Sequence, residues 1–143
     1  MRSIPAIKTV MTPFPYSVDL DAPLSEARRL MREHEIRHLP VKDELGELVG
    51  VLTDRDLKLV LGPYVDSLAS AEPRVRHACH QGTFTVETGA PLDEVVGRMA
   101  EERLGSVLVT KDGRLAGIFT VVDACQLLAR LLRAEFAGGD DAA

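Results

Sequence analysis

The stretch Gly-Val-Leu-Thr-Asp-Arg-Asp, residues 50–56, decides the fold because it returns as Gly-Ile-Phe-Thr-Val-Val-Asp at residues 117–123. A second segment is also repeated, since Ala-Pro-Leu-Ser-Glu at 22–26 returns as Ala-Pro-Leu-Asp-Glu at 90–94. Self-similarity at a regular spacing is the signature of a structural unit used more than once. The sequence therefore predicts two copies of one unit, packed face to face as a pseudo-symmetric pair with related sites opposite each other.

Hydrophobic periodicity and turn residues predict the same order of elements in both copies, strand–helix–strand–strand–helix. The predicted strands cover residues 16–18, 38–42, 48–52, 84–86, 106–110 and 115–119. The predicted helices cover residues 23–34, 53–61, 91–103 and 121–136. Residues 1–15 contain three prolines and are expected to be largely irregular, and the connector at 64–76 has room for a short helix at 65–71. The fold class is α/β.

Composition limits the class of protein. The chain has 143 residues, 45% hydrophobic and 4% aromatic, so we expect one shared aliphatic core, because each copy alone is marginally small. The net charge of −5 does not favour a nucleic-acid partner. No apolar run approaches the roughly 20 residues of a membrane-spanning helix. With no signal-peptide pattern and two cysteines, the chain is expected to be cytoplasmic with reduced thiols.

The repeated Gly-x-x-Thr-x-x-Asp motif is the strongest candidate for a binding site. It places Thr53 and Asp56 of one copy, and Thr120 and Asp123 of the other, at the first turn of a predicted helix. A helix N-terminus favours anions, an aspartate can accept both hydroxyls of a ribose, and glycine permits close backbone approach. Thr-x-x-Asp is equally typical of a capping box without a ligand. The pattern is compatible with both roles.

Cationic and titratable side chains near the first motif indicate a phosphate site. Arg37 and His38 precede a predicted strand, and His34 and Arg55 are expected near the same sheet edge. Arginine binds phosphate through a fork of donors, and histidine adds partial charge near neutral pH. The alternative is a solvated surface cluster that pairs with the neighbouring acids Glu33, Glu35 and Asp54. The second copy lacks these charges, with Gly105, Ser106 and Val122 at the corresponding positions.

A third candidate is the cluster of His77, Cys79 and His80, whose nitrogen and sulfur atoms are ligands for zinc or copper. No further ligand is evident nearby, so Cys79 is expected to be a small buried residue. Cys125 is expected to pack in the core from the last helix. No phosphate-binding lysine motif, nucleophile elbow or GxGxxG motif occurs, so the chain is not expected to be an enzyme.

Taken in order, Met11-Thr12-Pro13, the Leu-Pro-Val strand at 39–41 and the two Gly-x-x-Thr-x-x-Asp motifs resemble the CBS domain family. The whole chain resembles a tandem CBS pair, or Bateman module. Its first copy, through residues 34–41 and 53–56, is also similar to the CBS region of acetoin-utilisation-type proteins.

The resemblance implies two β-α-β-β-α repeats packed sheet to sheet, with two clefts related by pseudo-twofold symmetry. The implied boundaries are repeat 1 at 7–62, a linker at 63–76, repeat 2 at 77–133 and a flexible tail at 134–143. The implied ligand is of the adenosine type, AMP, ADP, ATP or S-adenosylmethionine, with or without Mg²⁺. No resident cofactor or metal is implied.

The resemblance also implies roles for individual residues. Asp56 and Asp123 would hold ribose hydroxyls, and Thr53 and Thr120 would hold the phosphate or the ribose. The residues implied to frame an adenine are Ser17, Val18, Leu39, Pro40 and Val41 in the first copy, and Thr85, Val86 and Val109 in the second. The residues implied to meet phosphate are Arg37, His38 and Arg55.

Two departures from the family pattern fall in the second copy. Cys79-His80-Gln81 stands where the first copy has Met-Thr-Pro, and Leu108 replaces the proline of the Leu-Pro-Val strand. Both are expected to make the second site differ from the first.

The expected function is a stand-alone regulatory module that binds an adenine nucleotide and signals to a partner protein. We expect a homodimer through the helices that begin at Thr53 and Val121. Arg37 and His38 favour a nucleotide over the cationic S-adenosylmethionine. The open alternatives are a structural or dimerisation module with empty clefts, a thiol or metal sensor, and an enzyme that turns over a nucleotide.

Overall fold

The computed structural model describes residues 2–62, 72–82 and 84–137. It has an α/β fold with two four-stranded sheets, which confirms the predicted fold class. The helices are α1 (Leu24–His34), α2 (Asp54–Leu61), α3 (Leu92–Glu102) and α4 (Val121–Phe136). The strands are β1 (Thr12–Pro13), β2 (Val18–Asp19), β3 (His38–Lys42), β4 (Leu48–Thr53), β5 (His80–Gln81), β6 (Thr85–Glu87), β7 (Ser106–Lys111) and β8 (Arg114–Thr120). The connector helix predicted at 65–71 and tail residues 138–143 lie outside the described residues.

The first helix of each repeat begins and ends in the same way. Pro23 and Pro91 stand at the N-caps of α1 and α3 with φ of −66° and −65°, values that the proline ring sets before folding. Each helix ends at a residue in the left-handed conformation, Glu35 with φ of 53° and Arg103 with φ of 57°. These shared signals explain why both helices occupy the same place in the two repeats.

Two short elements occur where the sequence was expected to be irregular. Ile7–Thr9 forms a 3-10 turn, and β1 follows it. The second repeat starts with the same pair, a 3-10 turn at Val75–His77 and then β5. These elements have two or three residues each, too few to show a hydrophobic period, so the prediction for residues 1–15 missed them.

The N-terminal segment of each repeat is built into the compact unit of the other repeat. One unit contains Met1–Pro13 with most of the second repeat, and the other contains Phe14–Phe84. In the first unit, the amide N of Ile7 donates to the carbonyl O of Ala90 at 2.8 Å. In the second unit, the amide N of Val75 donates to the carbonyl O of Ala22 at 2.9 Å.

The two sheets show the same arrangement, because each contains one short strand from the other repeat. In one unit the strand order is β2-β3-β4-β5, with β2 parallel to β3 and the other neighbours antiparallel. In the other the order is β1-β8-β7-β6, with β1 antiparallel to β8 and β6 parallel to β7. β1 therefore adds to the strand that leads into α4, and β5 adds to the strand that leads into α2.

Aliphatic side chains fill the core, as the composition predicts. In the unit that contains β3, the side chains of Leu39, Val41 and Leu52 are fully buried, together with Leu24 of α1. In the other unit, β7 contributes three fully buried residues and β8 contributes Phe119. These strands are buried over several consecutive residues, which is typical of strands covered on both faces.

The last helix does not follow the prediction for Cys125. No residue of α4 is buried, and Cys125 is exposed, so the expectation that it packs in the core is wrong. The large apolar residues of α4 are exposed within this chain. Among the described helices, none has the length and apolar content to cross a membrane.

Candidate functional site

The candidate site of the first repeat is the junction between β4 and α2. Thr53 is the N-cap of α2, and its Oγ1 accepts a hydrogen bond from the amide N of Asp56 at 3.1 Å. In return, Oδ2 of Asp56 accepts from the amide N of Thr53 at 3.1 Å. The capping box that the sequence allowed is therefore formed, and it fixes the aspartate at the helix N-terminus.

The second repeat has the same arrangement between β8 and α4. Oγ1 of Thr120 accepts from the amide N of Asp123 at 3.2 Å, and Oδ2 of Asp123 accepts from the amide N of Thr120 at 2.8 Å. Each box uses one carboxylate oxygen and leaves the second oxygen to a further donor. Because an ionised carboxylate offers about four acceptor positions in all, capping and ligand binding are chemically compatible.

The two aspartates differ in their second oxygen. Oδ1 of Asp56 lies 2.7 Å from Nε2 of His80, which is on β5. The Asp56 side chain is 9% exposed and the His80 side chain is 75% exposed, so the imidazole lies over a nearly buried carboxylate. From the sequence, His80 is only a candidate metal ligand, and its contact with Asp56 was not predicted. The sequence feature that could have indicated this contact is the Cys-His-Gln segment at 79–81, which stands where the first copy has Met-Thr-Pro at 11–13.

Because β5 pairs with β4 and β1 pairs with β8, an arrangement we call the strand exchange, the Cys-His-Gln segment lies at a different site from the one expected. His80 pairs with Val51 on β4, and Thr12 pairs with Ile118 on β8, at equivalent positions beside the two repeat glycines. The Cys79–Gln81 segment therefore alters the Asp56 site of the first repeat, whereas the Asp123 site receives the Met-Thr-Pro segment. The expectation that this departure changes the second site is wrong, because the segment pairs with the first repeat's sheet.

The repeat glycines make room for the exchanged segments. A Cβ atom on Gly50 would collide with the backbone carbonyl of His80. A Cβ atom on Gly117 would collide with the side chain of Met11. The close approach that glycine permits is therefore used by the protein itself, and it brings β5 near enough for His80 to contact Asp56.

The cationic residues predicted to meet phosphate lie at the start of α2. His38 is paired with Thr53 across β3 and β4, and the carbonyl O of Arg37 accepts from the amide N of Asp54 at 2.9 Å. Arg55 lies in the first turn of α2, and the side chains of Arg37 and Arg55 are exposed. The structure thus brings these positions to one edge.

The acids named as alternative partners form other ion pairs. Glu33 pairs with Arg29 at 2.9 Å, and Nε2 of His34 lies 3.9 Å from the same Glu33 oxygen. Asp54 pairs with Lys58 at 3.0 Å. His34 also stacks on Tyr16, with the ring centroids 3.7 Å apart. Of the four cationic or titratable residues named from the sequence, only His34 forms one of the described ion pairs with those acids.

The residues implied to frame an adenine are mostly in the core. Leu39, Pro40 and Val41 are fully buried in β3, and Val18 is buried in β2. Half-buried Ser17, with Val18, lines an open groove of about 790 Å³ near Lys42, at the end of β3 opposite His38. The residues lining this groove include neither Thr53 nor Asp56.

In the second repeat, the residues implied to frame an adenine lie on two neighbouring strands. Val86 pairs with Val109 across β6 and β7, and Thr85 pairs with Leu108. Val109 and Leu108 are fully buried, Val86 is half-buried, and Thr85 is exposed. Leu108, which replaces the proline of the first copy, therefore fills a core position.

The third candidate does not form a metal centre among the described residues. Nδ1 of His77 accepts from the amide N of Arg74 at 3.0 Å, and His80 is engaged with Asp56. Cys79 is half-buried, and this burial raises the pKa of its thiol, to which the nearby Asp56 carboxylate adds. Within the described ranges, no group of three or more His, Cys, Asp or Glu side chains is arranged to hold a metal ion.

These features define a class of protein, a pair of homologous α/β repeats in which the last helix of each repeat begins with a Thr–Asp capping box. The family model of the CBS domain matches the chain twice, at residues 7–62 and 75–130. The chain belongs to the CBS domain family and carries a tandem CBS pair, as the resemblance predicted.

Relatives and solved structures agree with this assignment. A CBS domain-containing protein of Dictyostelium discoideum is 31% identical over 134 residues, which cover 88% of this chain and 92% of that protein. An L-aspartate semialdehyde sulfurtransferase of Methanocaldococcus jannaschii is 27% identical over 125 residues, or 87% of this chain but 23% of that enzyme.

Two solved structures have the same fold over nearly their whole length. The acetoin utilisation protein AcuB from Vibrio cholerae aligns with a TM-score of 0.78 and 25% identity, covering 93% of this chain and 96% of that one. The CBS domain pair of protein MJ0100, in complex with 5′-methylthioadenosine and S-adenosylmethionine, aligns with a TM-score of 0.77 and 26% identity. That alignment covers 89% of this chain and 98% of that chain.

Proposed function

We propose that this chain is a non-catalytic regulatory module that binds an adenosine-type ligand through the aspartates of its two capping boxes. The observation that carries the proposal is the repeated geometry at Asp56 and Asp123, each held at a helix N-terminus with acceptor capacity left for a ribose diol. The adenosine ligands of the MJ0100 CBS pair support the ligand class. Each hydroxyl bonded to a carboxylate contributes roughly 1.5–3 kcal/mol.

The charges at the first site favour AMP, ADP or ATP over S-adenosylmethionine. Arg37 and Arg55 present exposed guanidinium groups beside the N-terminus of α2, and His38 lies alongside on β3. These groups attract a phosphate and repel a sulfonium cation. The second site has Val122 in the first turn of α4, so it lacks that preference.

The signal is expected to leave the module through a homodimer or a partner protein in the cytoplasm. α4 exposes a set of large apolar side chains, namely Val121, Val122, Leu128, Leu131, Leu132 and Phe136. In α2, Leu59 is also strongly exposed. Exposed apolar surface of this kind is typical of interaction sites, and α2 and α4 are the helices that begin at the two aspartate sites. Ligand binding there can bias the packing of both helices only through a difference in affinity between two states.

The test is isothermal titration of AMP, ATP and S-adenosylmethionine into the wild-type chain, Asp56→Asn and Asp123→Asn. Asparagine keeps an oxygen for the capping box but removes the charge, so each variant is expected to lose one site, by about tenfold or more in affinity. Asp93→Asn, in the first turn of α3 outside any described capping box, is the matched control and should bind as wild type.

A structural module with empty sites would give the opposite result. In that case no adenosine compound produces heat, and none raises the melting temperature. A binding ligand at 100 times its dissociation constant adds about 2.7 kcal/mol to the unfolding free energy, which a thermal scan detects easily. Binding that is unchanged in both aspartate variants would refute the assignment of the site.

A further inference from the structure

We propose that His80 is a built-in competitor for the carboxylate of Asp56, so that the two sites bind a ribose diol with unequal affinity. This inference rests on the proposed function, because it takes the two capping-box aspartates as the groups that bind the diol. It adds a residue outside the repeated motif, supplied by the N-terminal segment of the other repeat.

The hydrogen bonds of the two carboxylates carry the inference. Asp56 is engaged at both oxygens, Oδ2 with the amide N of Thr53 at 3.1 Å and Oδ1 with Nε2 of His80 at 2.7 Å. Asp123 is engaged through Oδ2 with the amide N of Thr120 at 2.8 Å. Among the described hydrogen bonds, Oδ1 of Asp123 has no protein donor. A diol therefore meets an available oxygen at Asp123 and an occupied one at Asp56.

Burial makes the competition direct. The Asp56 side chain is only 9% exposed, and the imidazole in contact with it is 75% exposed. Because the carboxylate is nearly buried and the exposed imidazole lies over it, an incoming hydroxyl reaches Oδ1 by displacing the imidazole. The exposed imidazole can turn into solvent without disturbing the core. Ligand binding at Asp56 then gains the diol contacts and loses one charge-assisted bond, a difference of roughly tenfold in affinity.

The other unit shows that a histidine is not required by the fold. Thr12 on β1 occupies the position that His80 occupies on β5, with the same register beside the repeat glycine. Both strands pair normally, so a threonine satisfies the backbone geometry. The histidine therefore changes the chemistry of the adjacent carboxylate rather than the architecture.

Phosphate modulates the inequality. Arg37 and Arg55 lie at the Asp56 site, and no arginine occupies the corresponding positions beside Asp123. Adenosine, which lacks a phosphate, is expected to prefer the Asp123 site. AMP recovers part of the cost of displacing His80 through the guanidinium groups, so the ratio of the two affinities is smaller for AMP than for adenosine.

Single-site variants and a reciprocal exchange test the proposal. Asp123→Asn retains the Asp56 site and Asp56→Asn retains the Asp123 site. Calorimetric titration with AMP is expected to show about tenfold tighter binding when His80→Thr is added to Asp123→Asn. It is expected to show weaker binding when Thr12→His is added to Asp56→Asn. Circular dichroism and thermal unfolding of each variant show that the fold is kept.

A second readout does not depend on affinity. In Asp123→Asn, the imidazole NMR signals of His80, assigned by their absence in His80→Gln, are expected to shift when AMP binds. If adding His80→Thr to Asp123→Asn leaves the affinity for AMP unchanged or weaker, His80 is not a competitor. If the wild-type chain binds AMP and neither aspartate substitution changes the affinity, both the assignment of the sites and this inference are wrong. If only the His80 substitutions are silent, the proposed function stands and this inference fails.

Discussion

A methyl group added at the two repeat glycines tests whether the exchanged strands are as close as the structure shows. In Gly50→Ala, the new Cβ would overlap the carbonyl oxygen of His80, and the carbonyl carbon of His80 and the Cα of Gln81 lie just beyond it. All three are backbone atoms of a paired strand, so relief requires β5 to move away from β4. Overpacking of this kind costs typically 1–3 kcal/mol, and we expect about 3 kcal/mol here because no side chain can give way.

Gly117→Ala is the matched variant in the other unit. Its Cβ would overlap atoms of the Met11 side chain, which is flexible and can adopt another rotamer. We therefore expect a loss of only about 1 kcal/mol in the unfolding free energy. The two glycines occupy the same repeat position. The difference in unfolding free energy between the two variants therefore reports how rigid the contacted atoms are, backbone at Gly50 and a flexible side chain at Gly117.

Urea unfolding monitored by circular dichroism measures both losses in unfolding free energy, and thermal unfolding measures the melting temperatures. Gly50→Ala is expected to lower the melting temperature by about 6–12 °C and Gly117→Ala by about 2–4 °C. Displacement of β5 also removes His80 from Asp56, so in Gly50→Ala the imidazole signals of His80 should resemble those of an unpaired histidine. Equal losses in the two variants, or a larger loss in Gly117→Ala, would refute the reasoning from backbone contact.

Two further predictions concern the cysteines and the last helix. Burial raises the pKa of Cys79, so iodoacetamide is expected to alkylate exposed Cys125 first. The alkylation rate of Cys79 should rise with pH as its thiolate forms. Mass spectrometry after timed quenching measures both rates, and a faster reaction at Cys79 would contradict the prediction. Leu128→Asp on α4 is expected to weaken self-association in sedimentation velocity, whereas Leu45→Asp, at a still more exposed leucine in the β3–β4 turn, should not. Identical profiles would argue against α4 as the contact surface.

Most of the fold was predictable because its signals are local. The strand His38–Lys42 and the helix Val121–Phe136 have the bounds that periodicity indicated, and the Thr of the repeated motif is the N-cap of both α2 and α4. Proline and threonine act on their own neighbours along the chain, so their effects can be read without knowing the tertiary structure. The capping boxes were predictable for the same reason.

What the sequence could not give is the partner of each short strand. β1 and β5 have two residues each, and their pairing depends on a strand far along the chain. Repeat symmetry assigns Cys79–Gln81 to the second copy, and Cys125 on α4 was expected to pack in the core. Both errors have one cause, because local patterns report which residues are apolar or extended but not what covers them.

If the capping-box aspartates bind a ligand as proposed, the strand exchange has a functional consequence. Each aspartate is fixed by its own helix, while the strand beside its repeat glycine belongs to the N-terminal segment of the other repeat. A mutation in that segment can therefore tune one site without touching the capping box, the sheet register or the other aspartate. His80 at one site and Thr12 at the other are such a difference. Under the proposed function, two related repeats acquire unequal affinities in this way through a change of one residue.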